Sequence, residues 1–152
     1  MFEMKTSILR YDIDKSILLC MSNNKKLWAK KLMSVGCLSN IIEDDDKYYI
    51  ACESGELNGQ LLALRKVNGS TAWFIPGKSF LQIIFERYLY LIFVDGDEHH
   101  YLLKVNRRNG KVRWHHYVNH DLCEYRFTLN MIQLSYASGR SESLSLKNGR
   151  QI

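Results

Sequence analysis

A chain of 152 residues, 46% apolar and 24% charged, with one proline and no low-complexity tract, has the make-up of one folded domain and leaves no room for a second. Its 21 basic and 16 acidic side chains leave a formal charge of +5, which suits an acidic partner or none and selects no function by itself. The longest apolar runs, such as Tyr88 to Val94, fall far short of a membrane span, and residues 1–20 hold no basic stretch followed by an apolar one, so a cytoplasmic protein without membrane contact is expected.

In chain order, the first predicted element is a short strand at Phe2 to Lys5, followed by a hairpin that turns at Asn23-Asn24 and brings in Trp28. Asn40-Ile41-Ile42 opens the next strand and Tyr48 to Cys52 forms the one after it. The turn signal Asn58-Gly59 then leads to a second hairpin at Asn68-Gly69 with Trp73. The same order recurs with Gln82-Ile83-Ile84, Tyr88 to Val94, Asp95-Gly96, Asn109-Gly110 and Trp114. It recurs again with Asn130-Met131-Ile132, Leu134 to Ala137, Ser138-Gly139 and Asn148-Gly149.

Trp28, Trp73 and Trp114 are 45 and 41 residues apart, and each lies five positions after the Asn that begins its turn. Asn and Gly tolerate the positive φ that two-residue hairpin turns require, so each turn is expected to be a tight hairpin. Counting outward from such a turn sets Leu19 opposite Trp28, Leu64 opposite Trp73 and Val105 opposite Trp114, which makes the tryptophans core residues rather than ligand platforms.

A period near 40 residues with four strands per unit is the pattern of a propeller blade. The expected fold class is all-β: a four-repeat β-propeller-like fold of four-stranded antiparallel blades. It occupies a single domain over 1–152, with repeats near 1–33, 34–76, 77–118 and 119–152. The last repeat stops at the start of its fourth strand, and Phe2 to Lys5 is available to complete it, with Phe2 or Met4 packing on Leu144. An open four-blade fan, or a homo-oligomer in which two chains form a larger ring, are the alternatives.

The run Ala63-Leu64-Arg65-Lys66-Val67-Asn68-Gly69-Ser70-Thr71-Ala72-Trp73 resembles the quinoprotein-type (PQQ-like) propeller repeat, whose pattern is Ala, any, Asp, two of any, Thr-Gly, three of any, Trp. Lys104 to Trp114 is similar, with Gly110, Lys111 and Trp114 in register. Arg65 and Asn106 stand at the Asp position, Asn68 and Asn109 at the Thr position, and Leu18 to Trp28 is more degenerate, with Asn24 where Gly belongs. The resemblance implies fold more than function. Dehydrogenases that carry this repeat are longer and exported, and many place adjacent cysteines beside the quinone. Cys20, Cys37, Cys52 and Cys123 are scattered, so neither quinone-dependent catalysis nor any cofactor is expected, and the thiols are expected to be reduced and mostly buried.

Three clusters invite a chemical reading. Counting from Asn109-Gly110 sets His99 opposite His120, and with Asp97 and Asp121 these would make a metal set for a small metal-dependent enzyme or ligand-binding propeller. Solvated or hydrogen-bonded imidazoles are the expected state, so no metal ligand and no catalytic residue is assigned. Lys104, Arg107, Arg108, Lys111 and Arg113 lie beside Trp114 and Tyr117, but Trp114 belongs to the repeated core column, so nucleic acid is not an expected partner. The acidic run Glu43-Asp44-Asp45-Asp46 lacks calcium-loop spacing and is expected to be an exposed turn.

In a blade of four antiparallel strands, the turn between the third and fourth emerges at one edge and the turn between the second and third at the other. The first set, here called tips, carries Lys25, Lys26, Lys66, Arg107, Arg108, Lys111, Lys147 and Arg150. The second set carries Asp12, Asp14, Glu53, Glu56, Asp95, Asp97, Glu98 and Glu142 against Lys15 and Arg140. The expectation is a non-catalytic module that binds another protein of basic surface through Glu53, Glu56, Asp95, Asp97 and Glu98. Small size, a Lys/Asn/Ile-rich composition and the acidic turns fit a bacterial immunity protein that neutralises a toxin such as a nuclease.

Overall fold

Short runs of β-branched, aliphatic and aromatic residues alternate along the chain with Asn, Asp and Gly turns, and this punctuation dictates a succession of hairpins. The computed structural model describes residues 7–32, 36–56 and 58–152; the expected strand at Phe2 to Lys5 and its packing on Leu144 lie outside them. Among the described residues there are fourteen strands and no helix, hence none long and apolar enough to cross a membrane. Each strand pairs antiparallel with its neighbour in sequence within its blade.

Blade 1 holds β1 (Ile8–Asp12), β2 (Ile17–Ser22) and β3 (Lys25–Lys31), and blade 2 holds β4 (Cys37–Glu43), β5 (Lys47–Glu53), β6 (Gly59–Arg65) and β7 (Thr71–Pro76). Blade 3 holds β8 (Lys78–Phe85), β9 (Tyr88–Val94), β10 (His100–Asn106) and β11 (Val112–Val118). Blade 4 holds β12 (Leu122–Phe127), β13 (Met131–Tyr136) and β14 (Ser141–Ser145), with a single bridge between Leu144 and Gln151 where a fourth strand begins. The chain divides into two compact units, Met1–Pro76 and Gly77–Ile152, with two blades in each.

One strand assignment needs correcting. Asn130-Met131-Ile132 does not open the first strand of blade 4; Met131 and Ile132 begin β13, the second strand, and Leu134 to Tyr136 continue it. The first strand is β12, whose mixture of charged and aromatic residues hides its period because four of its six residues are exposed.

The tips are built in two ways. At Asn23-Asn24 both residues have positive φ, 50° and 63°, as a two-residue turn demands. The other three tips are four-residue loops instead. Gly69 donates its N–H to the Arg65 carbonyl at 2.8 Å while the Arg65 N–H reaches the Ser70 carbonyl at 2.9 Å, and the pattern repeats at Gly110 with Asn106 and at Gly149 with Ser145. In these loops only the glycine is left-handed, with φ of 75°, 74° and 72°. The Asn before it acts through its side chain, since Asn68, Asn109 and Asn148 each accept an N–H from two residues on, at 2.9–3.0 Å.

Behind every one of these tips that the register resolves, the later strand carries an extra residue: Leu27, Ala72 and Arg113. The pairing therefore shifts by one. Trp28 lies opposite Cys20, not Leu19; Trp73 lies opposite Ala63, not Leu64; and Trp114 lies opposite Lys104, not Val105. The tryptophans are still buried and equivalent, as the repeat requires.

What the tryptophans touch explains the repeat. In the first unit the Trp28 indole N–H donates to the Lys66 carbonyl at 2.7 Å, and its ring covers Gly69 so closely that a Cβ there would stand 2.4 Å from Cε3. In the second unit the Trp114 N–H donates to the Leu146 carbonyl at 2.9 Å, and a Cβ on Gly149 would stand 2.5 Å from the ring. Lys66 and Leu146 are the first residues of equivalent tips. One blade thus seats its tryptophan on the tip of the next, and the cores fill in behind: Leu18, Cys20, Tyr48, Ile50, Leu62 and Leu64 with Trp28, and Tyr90, Ile92, Leu102, Ile132, Leu134 and Leu144 with Trp114.

The second unit adds polar links between its blades. Lys104, buried where the first two blades place Cys20 and Ala63, donates to the Leu146 carbonyl at 2.6 Å and sits 4.0 Å above the Tyr88 ring. Burial, with Arg113 nearby, pushes its pKa down. Glu142, nearly fully buried, accepts from Tyr136 Oη at 2.5 Å, Gln151 Nε2 at 2.7 Å and Arg140 Nη2 at 3.5 Å, and pairs with His116 Nε2 of blade 3 at 3.1 Å. Burial works against its ionised form, but the hydrogen bonds from Tyr136, Gln151 and His116 outweigh it and hold the carboxyl below its ordinary value.

Gly69→Ala and Gly149→Ala should each lower the unfolding free energy by about 2–5 kcal/mol, combining left-handed backbone strain with displacement of an indole. Gly139, with φ of 91° and open space around it, isolates the backbone part, so Gly139→Ala should cost only about 1–2 kcal/mol in the same denaturant titrations. Because the Glu142 carboxyl is held down, its stabilisation is complete above the ordinary carboxyl value of 4.5 and fades as pH falls below it. Glu142→Gln should accordingly cost about 1–3 kcal/mol at neutral pH, and its deficit in melting temperature against the native chain should shrink in acid.

Candidate functional site

The acidic residues singled out by sequence lie in two turns, one in each unit. Asp95, Asp97 and Glu98 occupy the turn between β9 and β10, while Glu53 ends β5 and Glu56 lies in the turn between β5 and β6. The turn from Asp95 to His99 is held from within. Asp95 N–H donates to the His99 carbonyl at 3.0 Å, Glu98 N–H to the Asp95 carbonyl at 3.1 Å, and the Asp95 Oδ1 accepts both Asp97 N–H and His99 N–H at 2.9 Å. Those backbone N–H groups, led by that of His99, lower the pKa of Asp95. Asp95 is therefore the brace of the turn, and Asp97 and Glu98 are its exposed charges. Glu98 adopts φ of 64°, a left-handed position.

Glu53 is half-buried at the end of β5, its carbonyl taking the Gly36 N–H at 2.7 Å and its Oε2 lying 3.7 Å from Cys37 Sγ; Glu56 is exposed. Glu142, counted by sequence among the turn acids, belongs instead to the buried network of blade 4. The signal was present: in Ser141–Ser145 it alternates with Leu144 and so shares the inward face.

The histidine pair is rearranged by the extra residue at Arg113. His99 does not face His120. His99 Nδ1 lies 3.4 Å from Asp95 Oδ2 and its ring meets the edge of Tyr117, whereas His100 stands with its ring centroid 6.4 Å from that of His120 and 5.6 Å from Phe80. Burial, then the neighbouring His120, pushes the His100 pKa down. Asp121 is occupied as well, its Oδ2 accepting the Ser138 N–H at 3.2 Å. The set His99, His120, Asp97 and Asp121 is thus not assembled. Asp95, Asp97 and His99 do offer atoms within 4.8 Å of one another, but one oxygen of Asp95 serves two backbone N–H groups and the other faces the imidazole.

A cavity of about 10 Å³ lies in the core of the second unit among Ile83, Tyr90, Leu102, Phe127, Ile132 and Leu134, at the lower limit for a single water. The cysteines are all free thiols, but only Cys20 and Cys52 are buried, while Cys37 and Cys123 are exposed. Burial, with Cys37 nearby, pushes the Cys52 thiol up to about 12, so it is inert at neutral pH.

No family model and no curated protein matches this sequence. Solved structures do match. The chain is similar over its full length to the computationally designed Ika8 protein, with a TM-score of 0.66 and 9% identity, and it covers 46% of that chain. It is similar over 84% of its length to the designed Ika4 protein, with a TM-score of 0.61 and 10% identity, covering 77% of that chain. Against quinohemoprotein alcohol dehydrogenase ADHIIG from Pseudomonas putida HK5 the TM-score is 0.64 at 11% identity, over 98% of this chain and 32% of the enzyme. The chain therefore spans less than half of the Ika8 chain and about a third of the dehydrogenase. At such identities the likeness establishes architecture alone: the chain has an all-β, four-repeat β-propeller-like fold, similar to about a third of the length of quinohemoprotein alcohol dehydrogenases.

Proposed function

We propose that this protein is a non-catalytic module that binds another protein of basic surface through acidic turns, led by Asp97 and Glu98 beside Asp95 in the second unit, with Glu53 and Glu56 as the acidic contacts of the first unit. The observation that carries this reading is the braced turn from Asp95 to His99. Its backbone is fixed by four hydrogen bonds before any partner arrives, so two exposed carboxylates are presented at little cost in ordering. Braced charges of one sign serve encounter and partner choice. The degenerate quinoprotein-type repeats are read as a scaffold without the dehydrogenase chemistry, and the complementary partner as a toxin such as a nuclease, whose phosphate-binding surface is basic; the protein would then be its cytoplasmic immunity protein.

Affinity capture from the native host identifies the partner, and stopped-flow mixing then tests the face. Asp97→Lys with Glu98→Lys should slow association about tenfold at low salt and flatten its salt dependence, while dissociation changes by less than about threefold. A control pair at the blade 3 tip, Arg108→Glu with Lys111→Glu, should leave association as fast or faster. Loss of binding in the control with no change in the acidic-turn pair would contradict the proposal.

A further inference from the structure

The opposite edge of the second unit is strongly and unevenly basic. Arg87, Arg108, Lys111, Arg113, Lys147 and Arg150 are all exposed, come from the β8–β9 turn, the start of β11 and the tips of blades 3 and 4, and have no ion-pair partner among the described residues. Four contacts hold these elements together. Arg107 Nη2 donates to the Glu86 carbonyl at 2.6 Å, fastening the turn that carries Arg87 to the blade 3 tip. Trp114 sits on Gly149 and, together with Lys104, on the Leu146 carbonyl, fastening the blade 4 tip with Lys147 and Arg150 beside Arg113. The corresponding edge of the first unit is different, because Lys66 pairs with Glu43 and Lys47 with Asp46, each at 3.2 Å, beside Asp44 and Asp45.

We propose that this edge of the second unit binds the phosphate backbone of double-stranded nucleic acid. Four of the six cations are arginines, whose planar forks match phosphate oxygens, and Arg108, Lys111, Lys147 and Arg150 sit on tips whose geometry is set by their own hydrogen bonds. Trp114 is buried and Tyr88 half-buried beneath Lys104, so neither of these two rings is open to stack a single-stranded base or seat a protein hot spot. A duplex backbone asks for no ring. On sequence alone nucleic acid is not an expected partner, because Trp114 is core; Trp114 is indeed buried, and the cations suffice without it. This inference does not depend on the acidic turn.

The test is fluorescence anisotropy with a labelled duplex of about 20 base pairs, titrated with the full chain at about 50 and about 200 mM KCl. Arg108→Glu with Lys111→Glu, and separately Lys147→Glu with Arg150→Glu, should each weaken binding about tenfold or more at the lower salt and reduce the salt slope by about two. Lys25→Glu with Lys26→Glu makes the same charge change in the other unit and should alter affinity less than about threefold. The proposal fails if the duplex does not bind, if the control pair weakens binding as much as the others, or if poly-glutamate binds more tightly than the duplex, which would assign the edge to an acidic protein. Far-ultraviolet circular dichroism of each variant confirms that the fold is kept.

Discussion

A tryptophan indole laid on the glycine of a neighbouring tip is the interaction on which each unit depends. It joins three requirements at one point: a left-handed residue to turn the loop, a missing side chain to admit the ring, and a carbonyl to satisfy a buried N–H. Trp28 with Gly69 and Lys66 meets all three, and so does Trp114 with Gly149 and Leu146. An isolated blade has an apolar face that it cannot cover; the ring covers part of it and fixes where the next blade stands. The apolar clusters behind the rings are then a consequence of registration rather than its cause.

The same device imposes the bulge. To direct the indole toward the next tip, the strand takes up one extra residue just before the tryptophan, and the parity of every pair beyond it changes. That change carries to the far end of blade 3, where it separates His99 from His120 and leaves His99 to the Asp95 turn. It also places Lys104, rather than Val105, opposite Trp114, with its ammonium on the carbonyl that the indole uses. Local turn chemistry thereby reaches residues a whole strand away.

The repeat, the all-β class and the core role of the tryptophans were legible because Asn, Gly and Trp recur at fixed offsets, and those offsets have one physical meaning. The register was not. Asn-Gly is written identically whether both residues have positive φ or only the glycine does, and Asn68, Asn109 and Asn148 cap their loops through their side chains. β12 was hidden because an exposed strand carries no alternation to detect. Glu142 reads as a surface acid because its partners His116 and Gln151 lie outside its own turn, although its alternation with Leu144 points inward. Of the acidic turns, the positions of Asp97 and Glu98 were readable, but the bracing role of Asp95 required the backbone.

The tips and the turn from Asp95 to His99, fixed from within by their own hydrogen bonds, present their charges with little freedom to lose. The most direct test of the underlying claim is hydrogen exchange at the tryptophan indoles, followed by NMR on protein labelled with 15N-tryptophan. If the rings are seated as described, the indole N–H groups of Trp28 and Trp114 exchange roughly a hundredfold or more slowly than a free indole under the same conditions. Exchange at the rate of a free indole, in a chain that keeps its β-sheet circular dichroism, would contradict the account.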